Sequence, residues 1–296
     1  MDAKRESLTA REARALIRAG EWTGPTAGLA LGYVQANLVV LPEGQASDFQ
    51  QFCLANPRAL PLLDVTEPGS PTPKRSAPKA DIRLDLPRYR VYRDGALVEQ
   101  PTDIMTLWHA DFVAFLLGCS YTFDAILSAN GVSVRHVELG CNVPMYVTNQ
   151  ATTPAGVFSG PLVVSMRPIR QEDVERVVGL TRETRVSLGE PPGSVSPYGA
   201  ELMHSAYPFH GEPIHVGSPE ALGISDLQCP EYGDTVPVRD GEIPVFWACG
   251  VTAQAAAIHS HVPLMITHAP GHMFVTDCRA KARFLPKMLG GPSIPA

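Results

Sequence analysis

The 296-residue chain contains no run of roughly 18 apolar residues, the length a helix needs to cross a bilayer. Its first residues, MDAKRESLTAREARAL, lack the apolar centre of a signal peptide. Cysteine is sparse: there are six, at 53, 119, 141, 229, 249 and 278, with no C-x-x-C pair and no short disulfide spacing. That excludes a small disulfide-stapled scaffold. No stretch fits the phosphate fingerprints G-x-G-x-x-G or G-x-x-x-x-G-K-[ST], and none fits the G-x-S-x-G nucleophile elbow. Basic charge is scarce as well. The formal net charge is -6, and the only basic cluster, Lys74, Arg75 and Lys79, sits in a Pro/Ser-rich stretch that reads as solvated loop. These absences leave a reduced, cytoplasmic protein with neither nucleic acid nor membrane as a partner.

What is present is globular. Hydrophobic residues make up 45% and charged residues 18% of the chain, with both signs represented, enough for one large α/β domain or two ordinary ones. Thr9 caps a helix over AREARALIRAG, which Gly20 ends. YVQANLVVLP is a buried strand or a short helix, Ser47 opens a helix stopped by Pro57, and LPLLDVTE reads as a buried strand. Residues 67 to 80 form a Pro-rich surface crossing without periodicity. YRVYRDGALVEQ carries the Asp-Gly signature of a tight hairpin, and IMTLWHADFVAFLLG is expected to be a helix buried on most faces. In the middle third, VSVRHVEL, VPMYVTN and GPLVVSMRPI read as strands, QEDVERVVGLTRETR as an amphipathic helix and EPIHVGSP as a further extended run. The expected division is therefore a larger, discontinuous α/β domain (1–123 with 239–296) and a smaller α+β sandwich (124–238).

Four of the nine histidines, His259, His261, His268 and His272, fall in the stretch CGVTAQAAAIHSHVPLMITHAPGHMFVTD, residues 249 to 277. IPVFWACG, TAQAAAIHSH and VPLMITH read as strand, short helix and strand, a βαβ unit of a parallel sheet. That arrangement would bring the loops after both strands to one sheet edge. Gly250 would permit close backbone approach there, and the helix start at Thr252 would favour an anion. A metal is not expected: Pro270 and Gly271 break the helix that His268 and His272 would need, and His259 and His261 point to different faces. His268 and His272 then flank a turn at the ligand edge, as catalytic or as structural histidines, whereas His259 and His261 serve the helix end.

A second Gly-Cys pair occurs in LLGCSYTFDAIL, where Ser120 can cap a helix. Cys119 and Cys249 each precede a helix start, a position that can lower a thiol's pKa, although both also suit plain packing. Arg167 can fork onto a substrate carboxylate, or pair with Glu138 or Asp173. With Arg167 on a substrate, Asn142, Tyr146 and Asn149 would orient it; otherwise they are turn or edge residues. Gly250, Thr252 and Gly271 complete the expected substrate-binding set.

Six motifs in order, GYVQANLVVLP, GCSYTFD, NVPMYVTN, GPLVVSMRP, FWACGVTAQ and ITHAPGHMFVTD, resemble those of the hydro-lyase family grouped with D-glutamate cyclase, from about residue 8 to residue 279. The tail beyond, ending GGPSIPA, lies outside the resemblance and is expected to be loosely ordered. The resemblance implies a three-layer αβα domain, which the βαβ reading makes partly parallel, plus a smaller two-layer α+β sandwich. It also implies a lyase that removes water, in the best-defined case by cyclising D-glutamate to 5-oxo-D-proline. The residue chemistry gives a cofactor-free enzyme, with a divalent ion such as Mn2+ or Mg2+ left open, a small carboxylate or amino acid as substrate, and a homo-oligomer left open. His268 or His272 would supply the proton for water loss. The alternatives are a cofactor-independent racemase or epimerase using Cys119 and Cys249 as paired thiols, or a non-catalytic binder of small carboxylates.

Overall fold

A computed structural model describes residues 3–187, 195–202 and 211–282. The expected loose tail after Arg279 lies almost wholly outside them. Among the described residues no helix is long and apolar enough to cross a membrane.

The molecule is mixed α/β, built on two sheets. After the short helix α1 (Ala3–Glu6) comes α2 (Ala10–Arg18), where Thr9 and Glu12 form a reciprocal capping box. Strand β1 (Tyr33–Pro42) leads into α3 (Glu43–Ala55), then β2 (Leu62–Val65), β3 (Tyr89–Arg93), β4 (Ala96–Glu99) and β5 (Phe112–Gly118). Helices α4 (Tyr121–Ala129) and α5 (Arg135–Leu139) precede β6 (Met145–Ala151) and β7 (Pro161–Arg170). The chain continues through α6 (Val174–Arg182), β8 (Thr184–Ser187), β9 (His215–Val216), β10 (Glu242–Ala248), α7 (Thr252–His259), β11 (Leu264–His268) and β12 (Phe274–Ala282). The larger sheet runs β2-β5-β1-β11-β3-β4, with β12 joining β1 to β8; the smaller runs β6-β7-β10-β9.

Every ladder among the described residues is antiparallel, which corrects the partly parallel sheet expected from the sequence. The source of the error is α7. The strands on its two sides belong to different sheets, β10 to the smaller and β11 to the larger, so strand-helix-strand is here a crossover between sheets. Two further elements differ from expectation. FVAFLLG, expected inside a helix, is the fully buried strand β5 at the heart of the large sheet. A seven-residue apolar run buried on both faces carries no period, and its aromatic and β-branched residues suit a strand. RHVEL, expected as strand, is instead the single-turn helix α5, ended by Gly140 at φ 67°. The Asp-Gly hairpin forms as read, with Asp94 at φ 49° and Gly95 at φ 77°. The Pro-rich crossing is more than surface, because Ser76 is fully buried and donates both its N–H and its hydroxyl to Asp64 at 2.8 Å.

Side-chain alternation gives the large sheet two apolar faces. Val39, Leu41 and Phe115 pack with Phe49 and Phe52 of α3 and Ala253 and Ala256 of α7. Leu38, Val40 and Leu116 pack with Phe123 and Leu127 of α4, Val177 of α6, and Val245 and Trp247 of β10. The small sheet thus meets the large one through α4 and through the crossing helix α7, whose Gln254 Nε2 donates to the His268 carbonyl at 2.9 Å.

Candidate functional site

Two strand-to-helix turns define the site. β5 runs through Cys119 and Ser120 into α4, and β10 runs through Cys249 and Gly250 into α7. The residues just before the helices, Ser120 and Val251, share φ -61° and ψ -14°. Neither expected cap hydroxyl caps its helix. Ser120 Oγ lies 3.1 Å from Ser165 Oγ, and Thr252 Oγ1 accepts the Val163 N–H at 3.0 Å, so both turns are fastened to β7.

Cys119 and Cys249 come together in one apolar cluster with Tyr121, Val143, Met145, Val163 and Met273. Each sulfur is offered an N–H from two residues ahead, Tyr121 for Cys119 at 3.5 Å and Val251 for Cys249. Burial outweighs those dipoles. It drives the Cys119 thiol well up, helped by the neighbouring Cys249, and pushes Cys249 up to about 11. The lowering expected at a helix start is therefore reversed, and both sulfurs are protonated near neutral pH.

The third element is the turn after β11. Asn142, buried just before β6, donates its Nδ2 to the Pro270 carbonyl at 3.1 Å and accepts the Tyr121 hydroxyl on Oδ1 at 2.5 Å; its backbone N–H donates to Asp234 at 2.8 Å. That one amide ties the 269–272 turn to the start of α4. Both glycines singled out from sequence are places of close approach. A Cβ on Gly250 would stand 2.1 Å from Asn37 Nδ2, and one on Gly271, at φ 81°, would stand 2.4 Å from Asn142 Nδ2. Because Asn142 is held by three partners and cannot swing away, Gly271→Ala should cost about 1–3 kcal/mol from overlap and left-handed strain. A denaturant melt indistinguishable from the wild type would show that Asn142 is not clamped.

The four histidines divide by position. His259 ends α7 and His261 follows it at φ 48°, both exposed. His268 is buried where the partner of β1 changes from β11 to β12, and its Nδ1 lies 3.2 Å from the Leu38 N–H that the ladder leaves over. Burial holds its pKa down to about 3, so it is neutral, and its Nε2 is buried without a partner. His272 is half-buried, with Nδ1 3.0 Å from the Pro270 carbonyl. A carbonyl only accepts, so Nδ1 carries the hydrogen and Nε2 is the bare nitrogen. Burial lowers its pKa, with Arg88 and Arg90 adding to the effect.

The structure does not bring every sequence candidate here. Arg167 pairs with neither Glu138 nor Asp173. Its Nε donates to Asp124 Oδ1 at 2.6 Å, Nη1 to Ser165 Oγ at 3.2 Å and Nη2 to the Ser120 carbonyl at 3.3 Å. Asp124 also meets His136 Nε2 at 3.0 Å, so Arg167 belongs to a buried triad beneath the Cys119 turn, with no edge left for a carboxylate. Tyr146 faces the opposite side of the small sheet, in the cluster of Val164, Met166 and Phe246, with its hydroxyl on the Leu227 carbonyl. Adjacent strand residues point to opposite faces, and Met145 already holds the inward one. Asn149 is exposed beside Gly223.

Sequence reasoning also missed residues. Asn37 donates Nδ2 to the Gly118 carbonyl at 2.8 Å, while its Oδ1 is buried and unpartnered. Gln254 Oε1 accepts from the Tyr92 hydroxyl at 3.0 Å and Arg90 Nη1 at 3.3 Å. A polar residue inside the apolar run QANLVVLP was the available signal for Asn37. Among the described residues no three His, Cys, Asp or Glu side chains gather closely enough to hold a metal ion.

The comparisons with known proteins fall on the same segments. The profile of the D-glutamate cyclase family matches residues 113–201 and 198–277, which carry both cysteine turns, Asn142 and the 269–272 turn. The chain belongs to the D-glutamate cyclase family. A relative from Rubrobacter xylanophilus named "Putative hydro-lyase" is 56% identical over 271 residues, covering 91% of this chain and 96% of its own. A relative of the same description from Geobacillus kaustophilus is 53% identical over 273 residues, covering 92% and 95%. One from Bordetella pertussis is 51% identical over 267 residues, covering 90% and 88%. The likeness of this D-glutamate cyclase family member to those chains thus runs almost end to end.

Proposed function

We propose that this protein is a carbon–oxygen lyase that removes water from a small carboxylic or amino acid, and that it cyclises D-glutamate to 5-oxo-D-proline. The observation that carries the reading is that Cys119 and Cys249 share one buried cluster with Met273, the residue directly after the turn that bears His272. Cyclisation forms a C–N bond between the amine and the side-chain carboxyl carbon and breaks a C–O bond. From the ammonium and carboxylate forms, two protons pass from nitrogen to the departing oxygen, which leaves as water. Each passes in the same way: His272 Nε2 accepts one from the nitrogen, Cys119 or Cys249 delivers one to the oxygen, and return of the proton from His272 to the thiolate restores both groups before the second transfer. Helices α4 and α7 start beside the developing oxyanion and contribute the positive ends of their dipoles. The cavity touching these turns, beside Gly118, Ser120 and Trp247, holds only about 10 Å³. On this reading substrate comes instead from the rim formed where Tyr232 packs on the thiol cluster and Arg90 lies over Tyr232.

The test is incubation with D- and L-glutamate, with and without Mn2+, followed by mass analysis for loss of one water. D-Glutamate should be converted; intact glutamate under every condition would sink the reading. The pairing of two thiols from separate turns also supports a second reading, a racemase in which one cysteine removes the Cα proton and the other returns it. In D2O a racemase places deuterium at Cα and loses all activity in either Cys→Ser variant, whereas the cyclase leaves Cα unlabelled. A non-catalytic carboxylate binder would show ligand-dependent melting shifts with neither product.

A further inference from the structure

The residue expected to hold a substrate carboxylate, Arg167, is consumed by Asp124, so a small-acid enzyme of this design needs another cation at the rim. Strand β3 provides one. Arg90 pairs across the ladder with Thr267, the residue before His268, and its side chain lies on the sheet face that carries Tyr92 and α7. Its guanidinium rests 5.7 Å from the ring centroid of Tyr232, which itself packs against the cluster of Cys119 and Cys249. Its polar contacts are two long ones to neutral oxygens, Gln254 Oε1 and Gln100 Oε1, each at 3.3 Å. Arg14, Arg18 and Arg135 all meet carboxylates; Arg90 and the exposed Arg88, two positions before it, meet none among the described residues, and of the arginines without one Arg90 is the one packed over Tyr232.

A half-buried guanidinium over an aromatic ring, with its donors on weak neutral acceptors, is oriented but not neutralised. It is poised for a bidentate anion. We infer that Arg90, with Arg88 beside it, binds the carboxylate of the substrate that does not react, while the other carboxyl reaches inward past Tyr232 to the thiols. This rests on the reading above that the niche of Cys119 and Cys249 is where substrate reacts. It goes further in giving the reason for a second acidic group: a monocarboxylate would satisfy either the cation or the thiols.

Glutarate, which has both carboxylates and no amine to react, separates binding from turnover. Titrated calorimetrically, it should bind the wild type, and Arg90→Gln should weaken it by roughly 10- to 100-fold, the loss of a bidentate charge-assisted pair. Arg90→Lys, which keeps the charge and loses the fork, should fall between, and Arg93→Gln, on the other face of the same strand, should bind as the wild type does. In D-glutamate turnover Arg90→Gln should raise KM more than it lowers kcat. Wild-type protein that takes no glutarate, or equal binding in wild type and Arg90→Gln, overturns the inference. Glutarate binding that depends on Arg90, in a protein that leaves D-glutamate intact, upholds the site and sinks the cyclase reading alone.

Discussion

Asp124→Asn should lower the stability of this protein by about 3–5 kcal/mol, the usual cost of stranding one member of a buried ion pair. The side chains of Arg167 and Asp124 are 1% and 5% exposed, and the amide that replaces the carboxylate leaves a guanidinium in the interior with no counter-charge. For a chain of this size the loss corresponds to roughly 6–15 °C in the melting temperature. Replacing both partners by apolar residues of similar volume should recover much of it, because the destabilisation comes from the unpaired charge more than from the missing attraction. The pH dependence follows from the direction of the Asp124 shift. Burial pushes its pKa up, but Arg167 and then His136 pull it further down, to a net value below the ordinary one. A carboxylate with a depressed folded pKa contributes stability that is complete above its unfolded value, about 3.9, and is lost as pH falls through the folded value. The gap between wild type and Asp124→Asn should thus be constant from pH 7 to about pH 5 and close only under stronger acid. A gap that closes already near pH 6, or a variant that melts with the wild type, would show that Asp124 is not the counter-ion of Arg167.

His272→Ala should reduce turnover by roughly 10²-fold or more while leaving the melt nearly unchanged, and His259→Ala should alter neither. His272 is half-buried and its side chain hydrogen-bonds to the Pro270 carbonyl, so its removal leaves no deep cavity. His259 is exposed at the end of α7, on the helix end away from the thiols. The acid limb of kcat/KM should reflect His272. Below its pKa the imidazole is protonated and cannot accept from the substrate amine; because burial and then the two arginines lower that pKa, activity should persist to a pH below the ordinary histidine value near 6.5. Equal activity in the two variants would mean that the histidine cluster is an accident of composition. His268→Ala should behave differently again, losing stability, since its imidazole occupies the gap in the β1 ladder.

How much of this was legible beforehand depends on the range of the interaction. The capping box at Thr9, the Asp-Gly hairpin and the helices at 174–182 and 252–259 follow from contacts within a few residues, which sequence records directly. Strand β5 was misread because burial on both faces removes the alternation that marks a strand. The Arg167 partner was missed because Asp124 lies 43 positions away, and nothing local distinguishes it from Glu138 or Asp173.

The sequence by itself determined the family and the two Cys-containing turns, because each rests on short motifs. Only the tertiary structure decided that α7 joins two antiparallel sheets, that Arg167 is a buried support and that Arg90 lies over Tyr232. It also decided that the thiols are protonated, since a pKa is set by the desolvation of the folded state, which no local pattern encodes.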